Sequence, residues 1–412
     1  MSEERSGWLT KIHKILVVGA GIGGLTCALA LARRGMLVTV CEQSACFSEV
    51  GAGLQIGPNA MHVLRALGLE EGLKALAYTP NFASIRHYKT GEYFLKTPLG
   101  SAIEQKYGAP YWHLHRADLH TILVQACEAA GVDILLNAHV KSYQEDAGGQ
   151  GVMLYLESGW EIAADLVIAS DGVKSSIRQQ MLGMDKSTFM GQVAWRGLIP
   201  VESVSSIKIQ PDASVWAGPG RHFVSYYVRG GKYINFVAVE ERNAWHSESW
   251  REEGDVNVLR QAFAGWHPEV TELLKCVKNT FLWSLNGRSE LPFWHKGPVV
   301  LLGDACHPML PFMAQGAAMA IEDAYVLAEC VSGVTSAENL EQALQTYEQH
   351  RKPRTSKVQA MSKANAGLFH MHGGVLGLCK LKALKQVSHF VPSVVESKLE
   401  FVYGYNATQQ DL

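Results

Sequence analysis

A histidine and a tyrosine stand four residues apart in the stretch Arg221-His222-Phe223-Val224-Ser225-Tyr226-Tyr227. On an extended chain side chains alternate, so His222, Val224, Tyr226 and Val228 share one face. An imidazole titrates near neutral pH and can take a proton from a bound acid. A tyrosine beside it can orient the anion or relay the proton to water. The plainer alternative is that both residues pack at a seam between domains. Elsewhere, Asp171 closes the apolar run EIAADLVIASD (161–171), read as one strand, and Asp304 closes PVVLLGD (298–304). A carboxylate at the carboxyl end of a strand can accept from ribose or ribityl hydroxyls, with loop capping as the alternative for Asp304. Arg116, in HRADLH (115–120), has a guanidinium suited to a pyrophosphate or ribityl oxygen, or else to a salt bridge with Asp118. Cys306 and His307 are loop neighbours, which does not make a dyad by spacing alone, and packing is the better reading.

Such residues need elements to hold them. Four glycines fall in Gly19-Ala20-Gly21-Ile22-Gly23-Gly24, between a strand-length run, Ile15 to Val18, and a helix-forming stretch, Leu25 to Arg34, that Gly35 stops. Met36 to Cys41 reads as a second strand, ending at Glu42. Strand, glycine turn, helix, strand and acid form the dinucleotide fingerprint in its required setting. Gly19 allows the turn, Gly21 lets backbone approach a pyrophosphate, and Gly24 lets helix and strand pack closely. The helix N-terminus offers N–H groups and partial positive charge to the phosphates. Glu42 is placed to accept from a ribose that lacks a 2′-phosphate. A signal peptide is disfavoured, because Glu3 and Glu4 come first and charged Lys11 and Lys14 adjoin the apolar run.

Farther along, Gly303-Asp304 lead into a Pro- and Gly-containing loop, and Ala317 to Cys330 reads as a helix. Its N-terminus could stabilise negative charge on an aromatic ring lying against it. Between about residues 186 and 281 the βα alternation gives way to short strands rich in aromatics. Val193–Pro200, Ser214–Ala217, His222–Val228 and Tyr233–Glu240 read as strands, with Arg229–Lys232 as a hairpin turn. One face of such a sheet can roof a pocket. Of the ten tryptophans, including Trp195, Trp216, Trp245 and Trp250, most should be core.

The chain has 412 residues, 47% hydrophobic, which is too much for one core and points to two domains or a large insertion. Its 37 basic and 39 acidic side chains leave no basic excess for nucleic acid. Eight scattered cysteines, without zinc spacing, suit a reducing cytoplasm and no metal site. The Cys379–Lys385 run is mildly basic and reads as a solvated helix face rather than a membrane contact, with a dimer contact or a lid left open.

Jointly, GAGIGG, HRADLH, SDG (170–172), GDACHP (303–308) and MAQGAAMAIEDA (313–324) resemble the single-component flavin-dependent aromatic hydroxylases. Within that family the chain is most similar to the salicylate, 3-hydroxybenzoate and 6-hydroxynicotinate hydroxylases. The likeness runs from about residue 12 to about 365, and VYGY near the end is similar too. It implies an α/β fold: a Rossmann-like FAD-binding domain of the p-hydroxybenzoate hydroxylase-like kind, an inserted β-sheet substrate domain and a helical C-terminal region. The FAD domain is expected over 1–80, 106–185 and 281–332, the substrate sheet over 81–105 and 186–280, and the helical region over 333–412. The resemblance places Gly19, Gly21, Gly23, Gly24, Glu42, Gln43, Arg116, Val140, Asp171, Gly303, Asp304, Gly316 and Ala317 at FAD. NADH or NADPH would visit without a glycine fingerprint of its own, and O2 would be the other co-substrate.

The same resemblance gives His222 and Tyr226 the catalytic positions and puts Gln55 and Phe312 in the pocket, where Tyr227 and Phe236 are further candidates. Taking the phenol proton pushes electron density into the ring, which then attacks the distal oxygen of a flavin C4a-hydroperoxide. Gln55 and Phe312 stand where the 6-hydroxynicotinate enzymes have histidines, and Ala213 falls roughly at a pocket cysteine. These departures favour a small phenolic acid of salicylate or 3-hydroxybenzoate type, with a pyridine acid or another aromatic scaffold as the alternative. A non-catalytic binding protein on the same fold is the distant alternative.

Overall fold

The computed structural model describes residues 14–47, 52–146, 151–184, 187–204, 209–243, 252–371, 375–390 and 392–412. In the first strand, Lys14–Val18, every residue after Lys14 is buried. Such a continuous apolar run belongs in a parallel sheet covered on both faces. It pairs in parallel with Leu37–Cys41 and Leu166–Ala169 in the centre of a six-stranded sheet. Val299–Leu301 and Asp133–Leu135 extend it, and His295–Lys296 makes an antiparallel edge. The helices Ile22–Ala32 and Gly316–Val331 pack against each other in this layer.

The run 161–171 is not one strand. Glu161–Ala164 joins a three-stranded antiparallel sheet, whereas Leu166–Ala169 enters the parallel one. The break falls at Asp165, whose carboxylate accepts the Lys14 N–H at 2.9 Å.

The second layer is an eight-stranded sheet. From edge to edge it runs Glu252–Glu253, Phe281–Gly287, Thr188–Pro200, Tyr233–Glu241, Arg221–Val228, Ala213–Gly218, Phe82–His87 and Tyr93–Pro98. Phe281–Gly287 pairs with Thr188–Pro200, so this sheet runs past residue 280, where the sequence reading ended it. The outer face buries Trp195, Trp216, Phe223, Phe236 and Phe263 in one cluster with the helices Val256–Ala262 and Pro268–Lys275. Each buried phenylalanine there contributes roughly 1.5–3 kcal/mol. The inner face looks toward the parallel-sheet domain. A ribbon of Gly53–Ile56 and Trp112–His115 lies between the two layers.

The helix Ala337–Phe369 is the clasp between them. One face of it places Gln359, Ser362 and Asn365 three residues apart, and these donate to the carbonyls of Pro308, Leu310 and Phe312. Trp245 and Trp250 lie outside the described residues. No helix among the described residues is long and apolar enough to cross a membrane.

Candidate active site

The glycine turn is shaped by contacts that admit no side chain. Gly19 has φ +100°, and a Cβ there would meet the Ser170 carbonyl oxygen at 2.6 Å. A Cβ on Gly24 would stand 2.1 Å from the Gly19 oxygen, while Gly23 lies against Leu302 and Ala320. Gly21 differs: a Cβ there would meet nothing within 4 Å. The missing side chains of Gly23 and Gly24 therefore serve packing, and only Gly21 faces open space. The helix that follows has no acid in its first turn and no side-chain cap, which leaves its N–H groups for an anion.

Glu42 closes the next strand, and its carboxylate accepts from the Ala20 N–H at 2.9 Å and the Ser44 N–H at 2.8 Å. His120 holds the turn from the other side, with Nε2 2.7 Å from the Ala20 oxygen. Asp171 caps the short helix Ser176–Leu182 through one carboxylate oxygen, which accepts from the Ser176 N–H at 2.9 Å. Its other oxygen is buried and has no partner among the described residues. Burial raises this carboxyl, and the bonds at its capping oxygen oppose that shift. The Ser176 hydroxyl ties the Val140 carbonyl into the same corner at 3.3 Å.

Asp304 is open to solvent between buried Gly303 and Ala305. The protein crowded around it raises its carboxyl, against the pull of His307 and Arg116. Asp118 accepts from Arg229 at 2.8 and 3.1 Å. The helix Gly316–Val331 begins at Gly316 and Ala317, again with no acid in its first turn and no side-chain cap. Gln43 is exposed at the rim. An open approach at Gly21, two uncapped helix starts and an orphaned Asp171 oxygen fit an adenine–flavin dinucleotide.

The inner face of the eight-stranded sheet supplies the ring half. Its registers place Val215, Val224, Val237 and Arg196 side by side on four neighbouring strands. All four remain partly open in the middle of a covered face. Beside them the next row, Ala217, His222, Val239 and Ala194, is buried. On the other side Tyr226 and Asn235 are buried. A partly open strip between closed rows marks a cavity under the sheet, with His222 at one end and Tyr226 at the other.

Each end has its own wall. His222 meets Phe312 and Phe369, with ring centroids 5.3 Å apart in both cases. Burial lowers the imidazole well below its usual range, and His370 adds to the effect. His222 is therefore neutral at physiological pH, as a base must be. Tyr226 lies 4.7 Å from the His113 ring, and burial raises its phenol, so it stays a proton donor. The Gly53 N–H donates to Asn235 at 2.7 Å, which seats the ribbon under the sheet. Gln55 faces the same way and accepts from the Tyr111 hydroxyl at 2.7 Å.

A family model described as "FAD binding domain" matches residues 13–362. The 6-hydroxynicotinate 3-monooxygenase of Pseudomonas fluorescens is 40% identical, over 87% of this chain and 93% of that protein. The 3-hydroxybenzoate 6-hydroxylase of Polaromonas naphthalenivorans (strain CJ2) is 33% identical, over 95% and 96%. A salicylate hydroxylase solved as a substrate complex superposes with TM-score 0.80 at 28% identity, covering 97% of both chains.

The chain belongs to the FAD-binding aromatic monooxygenases.

As such a monooxygenase it uses FAD and NAD(P)H, and the placement of the expected residues can be judged against that chemistry. His222, Tyr226, Gln55 and Phe312 gather around the cavity strip. Two expected pocket residues do not. Phe236 is fully buried on the outer face, stacked on Phe223 at 5.9 Å. Tyr227 points outward as well, because it neighbours Tyr226 on a strand; its hydroxyl donates to the Ile209 carbonyl at 3.3 Å. Cys306 is buried and donates to the Gly303 carbonyl. His307, Asp323 and Cys306 lie within 4.8 Å of one another. His307 and Arg351 already satisfy the Asp323 charge at 2.5 and 2.7 Å, which makes the cluster an ion-pair network.

Sequence reading missed three residues at this site. Arg196 sits on the cavity strip with its Nε buried and without a partner among the described residues. Burial lowers its guanidinium to about 10, so it remains cationic. Alternation from Trp195 would have placed Arg196 on the inner face. His113 and His370 had no such signal, since both are brought in by chain far from His222.

Proposed function

We propose that the protein hydroxylates a small aromatic acid bearing a ring hydroxyl, of the salicylate or 3-hydroxybenzoate type. The observation that carries this reading is the partly open strip of Val215, Val224 and Val237, bounded by a neutral histidine, a protonated tyrosine and one cationic arginine. Flat apolar walls suit a benzene ring, and a cation suits its carboxylate. Arg196 anchors the carboxylate. His222 takes the phenol proton, which makes the ring a stronger nucleophile. Tyr226 donates to the substrate oxygen and fixes the ring's tilt. Phe312, Phe369 and the sheet above keep water from the reacting atoms. Bound FAD, once reduced by NAD(P)H, would supply the oxygen activated from O2.

A pyridine acid is the second reading, favoured by the 40% identity to the 6-hydroxynicotinate 3-monooxygenase. Phe312 and Gln55 weigh against it, because neither offers a ring nitrogen a titratable partner. A screen decides: FAD-loaded protein is given salicylate, 3-hydroxybenzoate, other monohydroxybenzoates and 6-hydroxynicotinate, and NAD(P)H loss, hydroxylated product and peroxide are all measured. Stoichiometric product from a benzoate supports the proposal. Product from the nicotinate alone replaces it with the second reading.

A further inference from the structure

The base at His222 has a buried exit for its proton. His222 Nδ1 lies 2.7 Å from His370 Nε2, and His370 Nδ1 lies 2.8 Å from a Glu241 carboxylate oxygen. His222 and His370 are buried, whereas the Glu241 side chain is 43% exposed. Two short contacts thus link the end of the cavity to solvent.

The order of donors along this line follows from chemistry. A carboxylate only accepts, so His370 gives Nδ1–H to Glu241 and keeps a lone pair on Nε2. That lone pair accepts from His222 Nδ1–H. His222 is then left with its lone pair on Nε2, which has no protein partner among the described residues. The line selects the tautomer in which the free nitrogen is a base.

We propose that His222, His370 and Glu241 form a proton relay that carries the phenol proton of the substrate out of the cavity. This rests on the reading of His222 as the base. The substrate O–H bond breaks as a bond to His222 Nε2 forms. The Nδ1 proton of His222 moves to His370 Nε2, and the Nδ1 proton of His370 moves to Glu241. Phenol and carboxylate become phenolate and carboxylic acid, so net charge is conserved and both imidazoles end neutral. Glu241 then gives its proton to water, and the reverse transfer restores the product hydroxyl.

The surroundings give the relay a reason. A lasting imidazolium beside Phe312 and Phe369 would be costly, since no carboxylate among the described residues touches His222 itself. The Gln192 amide also lies near His370, 3.4 Å from Nδ1, and the Gly220 N–H donates to the His370 carbonyl at 2.9 Å. Neighbouring Arg242 is paired with Glu240 at 2.7 Å. His370 closes the helix Ala337–Phe369 that also fixes Phe312. The clasp helix thus delivers both a wall and a proton path.

The test uses oxidised, FAD-loaded protein without NAD(P)H. 3-Hydroxybenzoate, salicylate and 6-hydroxynicotinate are mixed with it in turn, and phenolate absorbance and proton release to an indicator dye are followed against pH. In the native protein the bound phenol is expected to ionise well below its pH in water. His370→Phe should slow phenolate formation by roughly 100-fold and shift its pH profile upward. Glu241→Gln should do the same more weakly. Should His370→Phe not fold, Glu241→Gln alone carries the test. Native rates and pH profiles in both FAD-loaded variants would overturn the relay and leave His222 as base. Absence of ionisation in the native protein with every acid would overturn the base, and the relay with it.

Discussion

The guanidinium carbon of Arg196 stands 3.9 Å from the centre of the Trp283 ring, under the middle of the eight-stranded sheet. The tryptophan face steadies the cation, and the Nε, without a partner among the described residues, leaves it a donor for a ligand. Replacing Arg196 with Gln removes a charge-assisted bond of about 1.5–3 kcal/mol. Substrate KM should rise roughly 10- to 150-fold, with FAD content unchanged. Titrating the variant with the accepted acid checks this.

The glycines divide by what their missing side chains avoid. Gly24→Ala drives a methyl into the Gly19 carbonyl, 2.1 Å away, and should prevent a stable FAD domain. Gly21→Ala meets no protein atom. Its apo form should melt like the native apo form while its Kd for FAD rises on the order of tenfold. Apo melting and FAD titration separate the two.

Glu322 and Arg354 are both buried, with bonds of 2.7 and 2.9 Å, and Arg354 also donates to the carbonyls of Phe401 and Val402. Burial alone would raise the Glu322 carboxyl, but Arg354 and Arg351 outweigh it and hold it low. Arg354→Ala leaves a buried carboxylate short of one partner and should cost about 3–5 kcal/mol. Denaturant unfolding of the holoprotein measures it.

Much of the nucleotide half was legible because it is local. The strand, glycine turn, helix and Glu42 lie within thirty residues, and each step is dictated by backbone sterics. The strands around His222 were legible from alternation, and so was the face that His222 and Tyr226 share. Tyr227 was misplaced because, as the neighbour of Tyr226 on a strand, it faces away from the cavity. Phe236 was misplaced because its face is set by pairing with Ser225 and Gly197 across two registers. His370 was beyond reach. It lies 148 residues from His222, after a helix whose pattern says nothing of where it ends in space.

A pH effect follows from His113, which is fully buried and lowered to about 3, chiefly by burial. Unfolded, it titrates near 6.5, so below that pH the unfolded chain binds one proton more. Folding stability therefore falls as pH drops from 6.5 toward 3, by about 2 kcal/mol at pH 5 from this residue alone. In His113→Phe that slope should be missing. Denaturant unfolding of both proteins at pH 7 and pH 5 measures the difference.

The central claim is that His222 activates the substrate rather than supports the fold. It is tested most directly by the ratio of hydroxylated product to NAD(P)H consumed in FAD-loaded native protein and in His222→Ala. The account predicts a ratio near one for the native protein. It predicts a product rate lowered roughly 10²- to 10⁴-fold in the variant, with FAD still bound and peroxide in place of product. Equal ratios in both proteins, or loss of FAD together with activity, would contradict it.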